Sequence, residues 1–104
     1  RETRSMTRLD SFFGIKVWVY FKDTDRHSEP HVHARYSGDW ASVAINGDVL
    51  SGFLPAPALR LVRQWLEDYH DLVVESWERA RRGERVNSLD TGFGRRPKRR
   101  RSRK

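Results

Sequence analysis

Three of the chain's four histidines, His27, His31 and His33, fall within seven residues, and Arg35 follows two positions later. In an extended strand, residues i and i+2 share a face with Cα atoms roughly 6.5–7 Å apart, so His31 and His33 project to the same side. Two imidazoles so placed can converge on one metal ion. Zinc or iron would want a third ligand, and His27, Glu29, Asp23 and Asp25 are near enough in sequence to supply it.

The same residues fit a second chemistry that needs no metal. One imidazole would take the proton of a ribose 2′-OH and the other would protonate the leaving oxygen. Arg35 would stabilise the charge on a phosphorane-like centre. Histidine suits such work because its unperturbed pKa lies at about 6.5, and Asp23, Asp25 or Glu29 would orient a ring. A purely structural arrangement also accounts for the residues. His31 and His33 would then bond to loop backbone, and Arg35 would be a solvated strand residue or a partner of Glu29 or Asp39. The catalytic set is therefore His31, His33, His27 and Arg35, and the metal set His27, His31 and His33. The cofactor stays open between none and a divalent metal such as zinc or iron.

These residues need a sheet to position them. Ile15 to Phe21 is rich in β-branched and aromatic residues and alternates, with Ile15, Val17, Val19 and Phe21 on one face. Lys16, Trp18 and Tyr20 fall on the other, where the aromatics would either stack nucleic-acid bases or pack under helices. After the polar loop from Lys22 to Pro30, the strand His31 to Tyr36 splits into a core-facing set (Val32, Ala34, Tyr36) and an outward set (His31, His33, Arg35). Ser37-Gly38-Asp39 has turn chemistry, Trp40 to Ile45 alternates again, and Asn46-Gly47 predicts a type I′ hairpin into a fourth strand, Asp48 to Leu54.

Pro55 and Pro57 suit the first turn of a helix. Leu59, Val62, Leu66, Tyr69, Val73, Trp77 and Ala80 then recur at spacings of three and four, which marks an amphipathic helical region. A single helix of about 25 residues would run roughly 37 Å, long for so small a sheet, so the pattern predicts two helices broken near His70. Gly83 is the expected C′ residue. Trp65 and Trp77 belong to the core, with Trp65 alternatively facing a partner. The fold class is α+β: a four-stranded, mostly antiparallel meander with two C-terminal helices packed on one face. Residues 1–10 read as a flexible N-terminus, 11–86 as a single domain and 87–104 as a disordered basic tail.

Charge separates sharply along the chain. The net charge of +7 comes from 21 Lys+Arg against 14 Asp+Glu, and eight of the cations lie between Arg95 and Lys104. The remaining 13 leave residues 1–94 at about −1. A uniformly basic nucleic-acid-binding fold is thus not what composition suggests, and the excess sits on Arg95, Arg96, Lys98, Arg99, Arg100, Arg101, Arg103 and Lys104. Such a polycation binds polyphosphate by counterion release, without reading sequence. There are no cysteines, so neither a disulfide framework nor a thiolate metal site is available. No apolar run approaches the roughly 20 residues of a membrane span, and the expectation is a cytoplasmic protein with no membrane partner.

One combination of motifs is more specific. Phe-Phe-Gly-Ile precedes an aromatic strand, followed by His27-x-x-Pro30-His31-x-His33-Ala34, then Leu54-Pro55-x-x-Ala58-Leu59-Arg60-Leu61-Val62. Trp65, His70 and a Trp77-Glu78-x-Ala80-x-x-Gly83 ending complete it. From about Ser11 to Val86 the chain resembles the small prokaryotic domain-of-unknown-function family 4160. That family commonly carries Pro-Pro-His-Phe-His where Glu29 and Val32 stand here. The resemblance implies a compact α+β protein, often encoded beside another small protein and suspected of belonging to toxin–antitoxin-like pairs. It implies no particular activity or cofactor, and the basic tail is not part of its pattern.

The function expected is a small intracellular component of a toxin–antitoxin-like pair that contacts RNA or DNA through its tail. The alternative is a His-centred hydrolase, either metal-dependent or an RNase-like phosphodiesterase.

Overall fold

The computed structural model describes residues 6–20 and 29–94. His27, the loop carboxylates Asp23 and Asp25, and the whole run from Arg95 to Lys104 lie outside the described residues. Among the described residues five strands, β1 (Met6–Phe12), β2 (Ile15–Tyr20), β3 (His31–Tyr36), β4 (Asp39–Ala44) and β5 (Val49–Gly52), precede two helices, α1 (Ala56–Asp68) and α2 (His70–Arg81). The strands form one antiparallel sheet in the order β1-β2-β3-β4-β5. The α+β meander with two helices is thus as expected, but with five strands rather than four.

The additional strand, β1, takes in residues 6–10 of the segment read as a flexible N-terminus. A bulge hides it from the sequence. The register with β2 shifts between Arg8 and Asp10, so Leu9 is the extra residue and Asp10 pairs with Val17. Leu9 and Asp10 are both buried although adjacent, which breaks the period of two by which a strand is recognised.

The β4–β5 hairpin also differs from the type I′ turn expected of Asn46-Gly47. Gly47 N–H donates to the Ala44 carbonyl (2.8 Å) and Ala44 N–H to the Asp48 carbonyl (2.7 Å), enclosing three residues. Only Gly47 of these takes a positive φ, 100°. This is a type I turn followed by a glycine bulge, helped by the Asn46 side chain accepting from Asp48 N–H at 2.9 Å.

One sheet face and both helices make the core. Ile15, Val17, Val19, Val32, Ala34, Ala41 and Val43 pack with Ala58, Val62, Trp65 and Leu66 of α1 and with Val73, Trp77 and Ala80 of α2. Trp65 is fully buried, so it faces the core and not a partner. Its indole alone removes roughly 150–250 Å² from water, a large share for a domain this small. The helices part at one residue, Tyr69 (φ −120°, ψ 30°), and His70 opens α2. The C-terminus of α2 is a Schellman motif: Glu84 N–H donates to the Arg79 carbonyl (2.8 Å) and Gly83 N–H to the Ala80 carbonyl (3.0 Å). Gly83 supplies the required positive φ of 75°.

The chain does not leave the domain at Val86. Leu89 N–H donates to the Leu9 carbonyl at 2.7 Å, and the Thr91 hydroxyl donates to the Asp10 carboxylate. The Phe93 ring stands edge-on to Phe12, with centroids 4.9 Å apart. The folded part therefore continues to Phe93, and residues 87–94 do not belong to the tail.

Candidate functional site

Pro30 forces an extended entry into β3, and antiparallel pairing on both sides then holds the strand. Ala34 lies between Val17 and Ala41, and His33 between Trp18 and Ser42. Alternation puts His31, His33 and Arg35 on the face opposite Val32 and Ala34.

The three do not share one environment. His31, assigned to the outward set, is only 2% exposed. Helix α2 reaches its end of the strand, where the His31 ring meets Trp77 with centroids 6.5 Å apart. His31 Nδ1 lies 2.9 Å from the Glu29 carbonyl oxygen. A carbonyl can only accept, so Nδ1 carries the proton, and in the neutral ring Nε2 is the basic nitrogen. His33 is half-buried, with its Nδ1 3.2 Å from the Ser42 hydroxyl. The two rings stand edge to face with centroids 5.4 Å apart. Arg35 is exposed and sits one row further along the sheet, opposite Lys16 and Trp40.

The structure thus brings His31 and His33 together and leaves Arg35 apart from them. The structural role foreseen for the pair is present in part, since His31 does bond to loop backbone. A backbone carbonyl on Nδ1 is also the usual way in which a protein presents Nε2 for proton transfer or metal binding. Among the described residues, no group of three His, Cys, Asp or Glu side chains converges to hold a metal ion.

Beyond the histidines, the polar sheet face carries two cross-strand rows. One runs Ser11, Lys16, Arg35, Trp40; the other runs Arg8, Trp18, His33, Ser42, Ser51. Arg8, Lys16 and Arg35 are exposed, Trp18 is half-buried, and Trp40 is 52% exposed. Neither row contains an acidic residue. The two rows, which add Trp40 and Arg8 respectively, depend on register, which strand period alone does not supply. At the same end of the sheet lies Gly94, where any side chain would run into the Phe13 ring.

A second polar cluster went unforeseen in the sequence. The Asp10 carboxylate, 5% exposed, accepts from the Trp65 indole N–H (2.8 Å), from Ser11 N–H (2.9 Å) and from the Thr91 hydroxyl. With every oxygen engaged by structural donors, it ties elements together and offers no reactive group.

The model of the domain of unknown function DUF4160 matches residues 14–78, which is more than half of the chain. The chain belongs to the DUF4160 family. The match runs from the β1–β2 turn to the last turn but one of α2 and includes His31, His33 and Arg35. β1, the docked segment 87–94 and the basic residues 95–104 lie outside it. No curated protein and no solved structure matches this DUF4160 member. Among the described residues no helix is long and apolar enough to cross a membrane.

Proposed function

We propose that this DUF4160 protein is a small component of a toxin–antitoxin-like pair that contacts RNA or DNA through residues 95–104. The observation that carries the reading is the separation of charge. Eight cations occupy those ten residues, while residues 1–94 total about −1. Nucleic acid is held by the arm, sequence-independently, and the domain supplies the protein partner's contact. The pairing with a small cognate protein rests on the family resemblance.

Deleting residues 95–104 tests the arm. Wild-type binding to a labelled oligonucleotide weakens steeply with added salt, by a log–log slope of about −0.7 per phosphate neutralised on a single strand. The shortened chain should lose that steep component. Binding with an unchanged slope would place the contact elsewhere and end the proposal.

A second reading, hydrolysis at the histidines, has one observation in its favour: the His31 ring, bonded at Nδ1 to the Glu29 carbonyl, stands edge to face with the His33 ring at a centroid distance of 5.4 Å. Here the histidines His27, His31 and His33 would act with Arg35, or would together hold a metal that activates the nucleophile. A folded His31→Ala/His33→Ala double variant with undiminished biological effect would remove this reading, whether or not metal is involved. Metal content of untagged protein, well below one equivalent at neutral pH, would remove its metal-dependent form.

A further inference from the structure

The polar face of the sheet differs from the surface of α2 in how its charges are satisfied. On α2 and just beyond it, three arginines have carboxylate partners, Arg79 3.4 Å from Glu75, Arg81 3.4 Å from Glu78 and Arg82 2.9 Å from Glu84, whereas among the described residues Arg60, Arg63 and Arg85 take part in no ion pair. Among the described residues, Arg8, Lys16 and Arg35 take part in no ion pair. Antiparallel register sets Lys16 directly beside Arg35, a like-charged cross-strand pair that is unfavourable by itself. Of the acids of the described chain, Asp10 is turned into the core, Asp68, Asp71, Glu75 and Glu78 are on or beside the helices, and Asp39, which opens β4 just before Trp40, pairs with Tyr36 in the neighbouring row.

Two indoles share this face with the cations. Trp40 follows Arg35 in one row, and Trp18 lies between Arg8 and His33 in the next. Strands are about 4.8 Å apart and alternate residues on one strand about 6.8 Å apart, which places the two tryptophans roughly 12 Å from each other. An exposed indole among uncompensated cations is costly in a free surface and useful on one polyanion: a nucleic-acid strand with unpaired bases. Its phosphates would neutralise the cations, and its bases would stack on the rings. Duplex offers the phosphates without the open bases.

We infer that the exposed end of the sheet's polar face, centred on Lys16, Arg35 and Trp40 with Arg8 and Trp18 beside them, is a platform for single-stranded nucleic acid. The inference rests on the reading that the protein contacts nucleic acid, and adds to it the form of the ligand. Gly94, the last described residue, packs against the Phe13 ring at the same end of the sheet that holds Trp40 and Phe53. In this reading the basic residues supply charge and the face supplies preference for unpaired bases.

The test uses the full-length chain and labelled oligouridylate, oligodeoxythymidylate and a duplex of equal length. Four proteins are compared: wild type, Trp40→Ala, Lys16→Ala/Arg35→Ala, and Arg79→Ala/Arg81→Ala as a helix-side control with equal charge loss. Both sheet-face variants should bind single strands roughly fivefold or more weakly. The helix-side control should bind as wild type, and Trp40→Ala should leave duplex binding unchanged. Trp40→Phe keeps a stacking ring and should restore most of the loss, which separates stacking from misfolding. RNA and DNA arms decide which strand is preferred.

If wild type binds and the sheet-face variants match it, the platform is overturned while the arm stands. Equal losses in the helix-side control would mean that net charge alone matters, and would also overturn it. If wild type binds no oligonucleotide, the functional reading itself fails, and the platform with it.

Discussion

The Trp65 indole N–H donates to the Asp10 carboxylate at 2.8 Å, joining residues 55 positions apart across the buried interface of α1 and β1. The same carboxylate accepts from the Thr91 hydroxyl. One side chain thereby pins the first strand, the first helix and the segment after the second helix.

Asp10→Ala should therefore destabilise the whole domain. It strands an indole N–H in the core, at a cost of about 1–3 kcal/mol for the unsatisfied donor. Urea unfolding measures this. Trp65→Phe removes the donor, so the two substitutions combined should cost less than the sum of each alone, a coupling visible in a double-mutant cycle.

Chains ending at Gly94 and at Val86 should behave differently. The first keeps every contact of residues 88–93 with β1 and should unfold at the wild-type denaturant midpoint. The second loses the Leu89–Leu9 backbone bond, the Thr91–Asp10 bond and the Phe93 ring on Phe12. A lowered midpoint is expected, and Phe93→Ala alone should account for about 1–3 kcal/mol. Equal midpoints for the two shortened chains would show that the docked segment adds no stability.

The two histidines should separate by stability before they separate by function. His31 is almost wholly buried against Trp77, whereas His33 is half-buried. His31→Ala should cost about 1–3 kcal/mol and His33→Ala under about 1 kcal/mol. Single variants, each checked for folding by thermal melts, are thus needed before any loss of effect is assigned to chemistry.

The Arg82–Glu84 pair should matter little. The hydrogen bond from Arg82 holds the Glu84 carboxyl below the ordinary carboxylate value, although burial acts weakly the other way. A lowered carboxyl pKa in the folded state stabilises above the unfolded value, and the contribution is lost as the pH falls through the carboxylate range. Glu84 is solvated, so salt screens the interaction. Glu84→Gln should leave the melting temperature unchanged within error at neutral pH in physiological salt.

Much of this protein is legible in its residues because the signals are local. Alternation from Ile15 to Tyr20 and from His31 to Tyr36, the spacing of Val62, Leu66, Val73 and Trp77, and the glycine at position 83 each act within a few residues. Composition alone separates a near-neutral domain from the run of eight cations after Gly94. The tertiary structure decided what depends on distant partners. β1 exists as a strand because β2 pairs with it and Trp65 donates to its buried carboxylate, while its bulge erases the period that would announce it. Residues 88–93 belong to the domain because Leu9 and Asp10 offer them hydrogen bonds about 80 positions away. His31, outward by alternation, is inside because α2 arrives over its end of the strand. Arg8, Lys16, Arg35, Trp18 and Trp40 become one surface only through register, since strand period gives each residue a side but never its neighbours.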